Sequence, residues 1–383
     1  MKKLIRITTI PTSLRTLLRG QLRFMSQYYE VIGIASNGDA LNEVIQNEGV
    51  RVHAIEMTRI ISPLSDLKSV FNLYRFFKKE KPFIVHTHTP KAGIAGMLAA
   101  KLAGIPHRIH TVAGMPLLEE TGIKRMLLDW VEKRTYAYAT EVWPNSKGLK
   151  EIIIKYNYTR PDKVKVIGNG SSNGIDVHHY NTAKVSTYDA DSLRQKLKIK
   201  SSDFIFIFIG RIVQDKGINE LVEAFDQLSK AHHDIKLILV GPHENHLDPL
   251  RDDTEAKINS NPNISAVGAI KDIRPYVTIS NVLTFPSYRE GFPNVVLQAS
   301  SMERPCIVSN INGCNEIIKD GFNGLIIPPK DVNALREAME FCLKNPEELQ
   351  KMANNARPNI VKNYEQEYIW NAILAEYKSL DDQ

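Results

Sequence analysis

The sequence predicts an α/β protein built from two domains, each with a parallel sheet. Short apolar runs alternate with longer amphipathic segments along most of the chain, which is the pattern of repeated βαβ units. One run, Phe204–Ile209, is apolar at every position, as in a central strand that is covered on both faces. With 383 residues the chain is long for a single domain. We therefore expect domains at residues 1–175 and 176–364, followed by a last helix within 365–383.

Hydrophobic periodicity places the individual elements. In the N-terminal half we expect strands at residues 4–7, 31–35, 52–55, 84–86, 108–110, 142–146 (with its turn) and 164–167, and helices at 13–29, 66–79, 94–103 and 121–139. In the C-terminal half we expect strands at 204–209, 236–240, 264–267, 282–285, 305–309 and 324–327, and helices at 218–230, 332–343, 346–364 and 365–379. The polar stretch 181–203 is left without an element.

The composition is that of a soluble globular protein, with 43% hydrophobic and 24% charged residues. No stretch approaches the roughly 20 apolar residues that span a bilayer. The N-terminus lacks a small-residue cleavage site and is interpreted as a first strand, not a signal peptide. The three cysteines, Cys306, Cys314 and Cys342, show no metal-binding spacing, so we expect a reducing compartment.

The charge is distributed unevenly. Residues 1–180 contain 26 Lys and Arg against 15 Asp and Glu, a balance of +11, whereas the remainder has a balance of −5. A basic half suggests an anionic partner, such as lipid headgroups, nucleic acid or a phosphorylated substrate. The predicted helices at 13–29 and 121–139 combine basic and apolar residues, which suits a membrane interface or ordinary packing on a sheet.

The stretch from Ser287 to Gln298 contains the first candidate site. A buried strand precedes it, and Pro293 suits the first position of a helix. The amides of residues 294–296 would then be free at the carboxyl end of a strand, which favours anion binding. Glu290 stands on the preceding loop. A carboxylate beside an anion site is explained by a ligand that carries both phosphates and hydroxyls, such as a nucleotide sugar.

A second candidate site follows the apolar strand 204–209. Gly210 and Gly217 bracket a turn that contains Arg211 and Lys216, with a helix start behind it. Arginine offers a planar fork and lysine a point charge, and together they suit a diphosphate. A solvated turn is the alternative.

Histidines mark the predicted strand ends of the N-terminal half, where ligands collect in open α/β sheets. His86 and His88 are two residues apart, but no acidic or cysteine residue nearby favours a metal. His110 ends the next strand and is either functional or structural. The turn after the first strand lacks the glycine fingerprint of dinucleotide-binding dehydrogenases. The glycine-rich residues 168–176 predict a flexible turn that serves as hinge and cleft lining.

Four motifs together resemble the retaining glycosyltransferases of family 4, which have the GT-B fold, and the resemblance covers nearly the whole chain. They are Gly210-Arg211…Lys216-Gly217, Pro286-Ser287…Glu290-Gly291-Phe292-Pro293, Asn173-Gly174-Ile175-Asp176 and the strand-end His110. The runs HTHTPKAG, HTVAGMP and GNGSSNGID are similar to the bacterial subgroup that builds capsular, exopolysaccharide and lipid-linked oligosaccharide chains. The fold implied is two Rossmann-like domains facing each other across a cleft, with the last helix crossing back to the N-terminal domain.

The resemblance also implies roles for individual residues. Arg211 and Lys216 would neutralise the donor diphosphate, Glu290 would contact donor-sugar hydroxyls, and His110 would touch the sugar from the N-terminal domain. The other donor-binding positions implied are Gly210, Gly268, Ile270, Lys271, Gly291, Phe292, Pro293, Asn294 and Gln298. The acceptor and cleft positions implied are Thr12, His88, Lys91, Gly114 and Asn173.

Two departures from the family pattern stand out. The family motif has a second glutamate where this chain has Gln298, which keeps one carbonyl acceptor but loses the charge. We expect nucleotide binding to be retained. The first turn lacks the glycine pair of many members, so its part in acceptor binding is left open.

The implied partners are a nucleotide sugar, by the subgroup's habit UDP-linked, a polyprenyl-diphosphate-linked glycan and an anionic membrane surface. No required metal, other cofactor or nucleic acid is implied. The implied location is the cytoplasm, peripheral to the inner face of the cytoplasmic membrane. The alternatives are a nucleotide-sugar epimerase of the same fold and a non-catalytic nucleotide-sugar-binding subunit.

Overall fold

The computed structural model describes residues 1–58, 62–244 and 248–382. The chain divides into two compact units. Unit 1 comprises Met1–Gly174 together with Glu367–Gln383, and unit 2 comprises Ile175–Gln366. Each unit contains a six-stranded parallel sheet, so the predicted α/β class is confirmed.

The sheet of unit 1 has the order β3-β2-β1-β4-β5-β6. Its strands are β1 (Lys3–Ile7), β2 (Glu30–Ala35), β3 (Arg51–Ala54), β4 (Ile84–Thr87), β5 (His107–Val112) and β6 (Glu141–Pro144). Its helices are α1 (Pro11–Leu17), α2 (Gln21–Ser26), α3 (Ala40–Glu48), α4 (Pro63–Glu80), α5 (Pro90–Ala103), α6 (Gly122–Tyr138) and α7 (Lys147–Lys155). The C-terminal α16 (Gln366–Ser379) also packs in this unit.

The sheet of unit 2 has the order β12-β11-β10-β7-β8-β9. Its strands are β7 (Phe204–Ile209), β8 (Ile235–Val240), β9 (Ile264–Gly268), β10 (Val282–Phe285), β11 (Cys306–Ser309) and β12 (Gly324–Ile327). Its helices are α8 (Thr187–Lys196), α9 (Ile218–Ala231), α10 (Asp252–Ser260), α11 (Arg274–Ile279), α12 (Asn294–Ser301), α13 (Cys314–Ile317), α14 (Val332–Lys344) and α15 (Pro346–Tyr364).

Both faces of each sheet are covered, since nearly every side chain of the central strands β1, β4, β7 and β10 is buried. In β7 the side chains of residues 205–208 are fully buried, and each such side chain contributes about 1.5–3 kcal/mol of transfer free energy. In unit 1, α16 supplies Ile369, Ile373 and Tyr377 to the same apolar layer as α1 and α2.

Asn173 lies near the end of the first segment of unit 1, and its side chain is hydrogen-bonded to residues of α2, α16 and the α1–α2 connection. Its Oδ1 accepts hydrogen bonds from Gln21 Nε2 at 3.0 Å and Trp370 Nε1 at 2.7 Å, and its Nδ2 donates to the Arg19 carbonyl at 3.0 Å. All hydrogen-bonding positions of this amide but one are therefore used inside unit 1.

The single helix predicted at residues 13–29 is wrong. The structure has α1 and α2 instead, separated at Gly20, whose φ is +78°. A Cβ at this position would stand 2.7 Å from the Trp370 ring, so a left-handed glycine and the C-terminal helix fit together here. The apolar side chains of both helices are buried in the core, at Leu14, Leu18, Leu22 and Met25. This segment therefore presents basic residues to solvent but no apolar face.

Three smaller expectations are also corrected. Residues 164–167 are not a strand, because only Val164 forms an isolated bridge, to Val142. The polar stretch 181–203 contains α8, whose low apolar content hid its helical period. Pro293 is the residue before α12, not its first residue.

A buried carboxyl group in unit 1 predicts a pH-dependent stability. Burial raises the pKa of Glu132, on α6, to about 7, and the neighbouring Asp129 acts in the same direction. The folded state therefore binds this proton more tightly than the unfolded state, whose carboxyl has a pKa of about 4.3. The contribution of this bound proton to the stability of the fold is complete below the unfolded-state pKa. It is lost as the pH rises through about 7.

We expect Glu132→Gln to raise the unfolding midpoint at pH 8, by an amount equivalent to about 3–4 kcal/mol, and to change it little at pH 4.5. The amide has the same shape and carries no charge at either pH. Thermal unfolding at both pH values measures this, with the exposed Glu151→Gln on α7 as the matched control. An equal effect of Glu132→Gln at the two pH values would contradict the assignment.

A close backbone approach in unit 2 predicts a second effect on stability. Gly217 has a φ of +72°, and a Cβ there would stand 2.1 Å from the carbonyl oxygen of Pro286. Gly104 has a nearly equal φ of +75°, but no described residue other than its two chain neighbours has an atom within 4 Å of its Cβ position. Gly104→Ala therefore isolates the cost of the left-handed conformation, which is about 1–2 kcal/mol.

We expect Gly217→Ala to lower the free energy of unfolding by clearly more than Gly104→Ala, because a backbone oxygen must also move. Urea denaturation of the two variants and the wild type provides the comparison. Equal losses would show that the approach of Gly217 to Pro286 does not constrain the fold.

Candidate active site

The unit 2 sheet has a topological switch point between β7 and β10. From β7 the chain continues through β8 and β9 on one side, and it returns at β10 on the other side. The loops after β7 and β10 consequently leave the same edge of the sheet in opposite directions. Ligands of open α/β sheets bind in the crevice at such a point. Both motifs singled out in the C-terminal half lie on these two loops.

Arg211 follows β7 directly after Gly210, and its guanidinium group has two acidic neighbours. Nη1 lies 3.2 Å from a Glu244 carboxylate oxygen, and Nη2 lies 3.6 Å from Asp215 Oδ2. The side chain is 40% exposed, so part of the guanidinium fork faces solvent. Arg211 is therefore positioned by the carboxylates and still able to bind an anion.

Lys216 and Glu290 connect the two loops. Lys216 Nζ lies 2.5 Å from Glu290 Oε1, and both side chains are largely buried, with exposures of 14% and 16%. Ser287 Oγ donates a second hydrogen bond to the same carboxylate oxygen, at 2.9 Å. Burial and the added hydrogen bond fix this pair more firmly than an exposed salt bridge. The sequence predicted both charged residues but neither their pairing nor the contribution of Ser287.

Asp215 is a residue that the sequence analysis missed. Its backbone carbonyl accepts from the Tyr288 amide at 2.9 Å, its Oδ2 accepts from Arg289 Nη2 at 3.0 Å, and its amide donates to Asp248 Oδ2 at 2.6 Å. Its Oδ1 is buried and has no hydrogen-bond partner among the described residues. The position of Asp215 in the sequence, between Arg211 and Lys216, is the feature that could have indicated its role.

The start of α12 supplies free backbone donors. The Val296 amide donates to the Pro293 carbonyl at 3.2 Å. In the described part of the chain, no acceptor is bonded to the amides of Asn294 and Val295. Of the three amides expected to be free, two remain for an anion, at the positive end of the helix dipole. Phe292 is buried against Tyr364, with ring centroids 5.4 Å apart, and Gly291 beside it is also buried.

The remaining donor-binding candidates lie further from this pair of loops along the chain. Gly268 ends β9, and it is followed by Ile270, which packs partly against the core, and by the exposed Lys271. Gln298, on the second turn of α12, donates through Nε2 to the Tyr180 hydroxyl at 3.0 Å. This hydrogen bond uses the amide donor that a glutamate would lack.

His110 is buried within unit 1 at the end region of β5. Its Nδ1 is 2.8 Å from Thr87 Oγ1, and its ring packs so closely on Gly93 that a Cβ there would stand 2.5 Å from Cε1. Burial lowers the pKa of His110 to about 4, so the imidazole is neutral near pH 7. Its expected contact with the sugar remains a prediction.

The acceptor and cleft candidates of unit 1 differ in their exposure and in their partners. His88 is buried beside Arg6, whose Nε donates to its Nε2 at 2.9 Å, while Lys91 forms an ion pair of 2.5 Å with Asp66. Thr12 is exposed in the first turn of α1, and Gly114 is partly exposed after β5. Asn173 is buried and hydrogen-bonded as described above. Their roles also remain predictions.

The unit 2 groups together combine two kinds of chemistry. Two cationic side chains and two free amides suit the charge and the oxygen atoms of a diphosphate. A buried carboxylate beside them suits hydroxyl groups, which donate to it. Arg211 and Lys216 are each already paired with carboxylates, so a ligand must join or replace these partners.

Two protein-family models match the chain. "Glycosyl transferases group 1" matches residues 189–358, and "Glycosyl transferase 4-like domain" matches residues 22–170. The first match contains all the candidate residues of unit 2, and the second contains His88, Lys91, Gly114 and His110.

Named bacterial proteins are similar over most of the chain. The capsular polysaccharide biosynthesis glycosyltransferase CapM of Staphylococcus aureus is 31% identical and covers 99% of this chain, which spans 97% of CapM. The UDP-Gal:alpha-D-GlcNAc-diphosphoundecaprenol alpha-1,3-galactosyltransferase of Escherichia coli is 33% identical, over 80% of this chain and 78% of the length of that enzyme. An N-acetylgalactosaminyltransferase of Campylobacter jejuni, named for an N,N'-diacetylbacillosaminyl-diphospho-undecaprenol acceptor, is 25% identical over 90% and 89%.

Solved structures show the same fold. Anabaena HepE in complex with UDP and glucose superposes with a TM-score of 0.82 at 18% identity and covers 99% of this chain and 100% of its own. A glycosyltransferase of Rickettsia africae superposes with a TM-score of 0.81 at 20% identity, and the superposition covers 99% of this chain and 98% of the Rickettsia chain. With this fold, the two family models and relatives more than 30% identical along most of its length, the chain belongs to glycosyltransferase family 4 and is a glycosyltransferase of the GT-B fold.

Proposed function

We propose that the enzyme transfers a hexose or an N-acetylhexosamine from a UDP-sugar to a polyprenyl-diphosphate-linked saccharide, in the biosynthesis of a bacterial surface polysaccharide. The observation that carries the proposal is the grouping of Arg211, Lys216 and Glu290 at the switch point of the unit 2 sheet. The names of the Escherichia coli and Campylobacter jejuni relatives, which include diphosphoundecaprenol acceptors, support the acceptor class.

The departing diphosphate is the group that the site must stabilise. During transfer the bond between the anomeric carbon and the phosphate oxygen breaks, and its electron pair leaves with the nucleoside diphosphate. Arg211, Lys216 and the free amides of Asn294 and Val295 would bind the developing charge with dipoles and cations that are already oriented. Because side chains and amides supply this positive charge, the proposed reaction does not require a metal ion.

The proposed stereochemical course is retention. The acceptor oxygen attacks on the face from which the diphosphate departs, and its proton passes to a phosphate oxygen. Glu290 is held by Lys216 and Ser287, and its carboxylate would accept hydrogen bonds from donor-sugar hydroxyls. His110 would contact the sugar through a neutral imidazole ring, which is consistent with the lowered pKa that burial gives this histidine.

Two other activities are compatible with the sequence motifs. A nucleotide-sugar epimerase would convert UDP-N-acetylglucosamine without any acceptor, and product analysis of such an incubation detects it. A non-catalytic subunit would bind the donor without turnover, and Gln298 was the feature in its favour. The relatives described above carry the names of transferases, which favours transfer over both.

The decisive variants are Arg211→Ala and Lys216→Ala. We expect each to lower sugar transfer by about 10²–10³-fold, the usual loss when one preorganised charge-stabilising group is removed. The donor is first chosen by the thermal stabilisation that UDP-N-acetylgalactosamine, UDP-N-acetylglucosamine, UDP-glucose, UDP-galactose and GDP-mannose each give. Transfer to diphosphoundecaprenol-linked sugar is then followed by product chromatography.

The control for these variants is Lys230→Ala, at the exposed end of α9 in the same unit, which should keep full activity. Unfolding midpoints check that each variant is folded. Normal turnover by a folded Arg211→Ala or Lys216→Ala enzyme would refute the assignment of the donor site.

The same proposal includes attachment to an anionic membrane surface, through the first half of α6. Ile123, Met126 and Trp130 are 86%, 71% and 54% exposed, although they are apolar. Within the described residues no helix is long and apolar enough to cross a membrane. Exposed apolar residues beside lysines and arginines favour binding at the boundary between headgroups and acyl chains.

Helix α4 adds a second part to this surface that the sequence analysis did not identify. Leu64, Leu67 and Phe71 in its first half are exposed, by 85%, 67% and 55%. Helix α5 packs between α4 and α6, and the first halves of α4 and α6 both follow the carboxyl edge of the unit 1 sheet. Arg75 lies over the Phe71 ring at 5.8 Å, as Arg134 lies over the Trp130 ring at 5.5 Å.

We expect a triple variant with Ile123→Ser, Met126→Ser and Trp130→Ser to lose most binding to vesicles that contain phosphatidylglycerol. The matched control replaces three exposed apolar residues of unit 2, Tyr188, Phe322 and Phe341, with serine. Vesicle sedimentation at low and high salt measures binding, and the basic residues predict weaker binding at high salt. Unchanged sedimentation of the α6 variant, or an equal loss in the control, would refute this surface.

A further inference from the structure

A third loop of unit 2 meets the turn that carries Glu290. Strands β10 and β11 are parallel neighbours in the sheet, so the loops that follow them leave at the same edge. In the loop after β11, Gly313 has a φ of +78°, and a Cβ there would stand 2.5 Å from the carbonyl oxygen of Gly291 and 3.0 Å from Phe292 Cα. The two loops are therefore in backbone contact beside Glu290.

Asn312, the residue before this glycine, forms a hydrogen bond with Glu290 itself. Its Nδ2 donates to the Glu290 backbone carbonyl. At the other end of Glu290, Lys216 Nζ and Ser287 Oγ both donate to Oε1, at 2.5 and 2.9 Å. Glu290 is thus held both at its side chain and at its main chain. No described residue donates a hydrogen bond to Oε2, so that oxygen remains for a ligand.

The hydrogen bond from Asn312 also sets the direction of a backbone donor. The Glu290 carbonyl and the Gly291 amide belong to one peptide, which is trans and planar, so they point in opposite directions. Holding the carbonyl therefore turns the Gly291 N–H away from Asn312. Gly291 is buried, and no described residue accepts a hydrogen bond from its amide. Because a buried donor without a partner is costly, this amide suits an acceptor atom of a ligand.

The loop that carries Asn312 is itself tied down. The Asn310 amide donates to the Ile327 carbonyl of β12 at 2.7 Å, and the Asn315 amide donates to the Ile311 carbonyl at 3.1 Å. Asn312 lies between Asn310 and Asn315 in the sequence and is partly buried. A side chain on such a segment is already ordered, which is what a site needs from the residues that support it.

We propose that Asn312 is a positioning residue of the donor site, which fixes the Glu290–Gly291 peptide so that Glu290 Oε2 and the Gly291 amide both face the bound sugar and its phosphate. Asn312 need not touch the donor. This inference rests on the donor-binding role of Glu290 in the proposed function. The alternative is a purely structural tie between two loops, whose loss would affect every ligand of the site alike.

The test compares Asn312→Ala with Asn315→Ala in the full chain. Asn315 is the matched control, because it is an exposed asparagine of the same loop whose Nδ2 donates to Asn310 Oδ1 at 2.9 Å and not to Glu290. The first ligand is whichever of the five nucleotide sugars named above stabilises the wild type most. The second is the matching nucleoside monophosphate, UMP or GMP, which lacks the sugar. Unfolding midpoints against ligand concentration give the dissociation constants.

We expect Asn312→Ala to weaken binding of the nucleotide sugar at least tenfold and to change that of the monophosphate less than twofold. The reason is that only the nucleotide sugar carries the sugar and the second phosphate that the Glu290–Gly291 peptide faces. Asn315→Ala should change neither constant more than twofold. Unchanged binding of the nucleotide sugar by Asn312→Ala, or equal weakening of both ligands, would overturn the proposal.

A second variant keeps the test decisive if Asn312→Ala does not fold. Asn312→Asp keeps the shape of the side chain but loses the donor, and Asn315→Asp is then the control. Transfer by the wild-type enzyme is measured separately. Its absence would refute the proposed transfer, whereas the binding constants alone decide the role of Asn312.

Discussion

The approach of the Gly217 backbone to the Pro286 carbonyl is the constraint on which the unit 2 site depends. It fixes the turn after β7 against the loop after β10, two segments separated by about 70 residues in sequence. The Lys216–Glu290 ion pair and the hydrogen bonds of Asp215 with Tyr288 and Arg289 all cross between these two segments. Without that contact the charges would lie on two independent loops. The site is therefore preorganised by backbone packing before any ligand binds.

The pairing of the cations has a consequence for selectivity. Arg211 faces two carboxylates, one of which also pairs with Arg289, and Lys216 faces a third, so three cations and three carboxylates balance without ligand. A monoanion gains little from such a site, because it must compete with carboxylates that are already in place. A diphosphate carries more charge and more acceptor oxygens, and it can use the free amides of α12 as well. The carboxylates thus favour a ligand with both high negative charge and hydroxyl groups.

The sequence predicted those features that depend on local pattern. The apolar runs located most strands of both sheets, since a strand buried on both faces is usually rich in apolar residues. Features set by distant residues were not predictable. The break at Gly20 depends on Trp370, and the helix α8 has few apolar positions to reveal it. Arg6 and Gln21 lie 15 residues apart, and nothing in the local sequence indicates that both are buried. The family assignment is established, whereas the residue roles in donor and acceptor binding remain predictions.

The contribution of α16 to unit 1 constrains the order in which the chain can fold. Tyr377, Ile369 and Ile373 complete an apolar layer whose other members, such as Leu14 and Leu22, lie more than 340 residues earlier in the chain. During translation that layer stays uncovered until residues 367–383 have left the ribosome, whereas all of unit 2 emerges before them. Unit 2 can therefore acquire its native core first. The apolar layer of the nascent first unit meanwhile stays exposed, and exposed apolar surface favours aggregation.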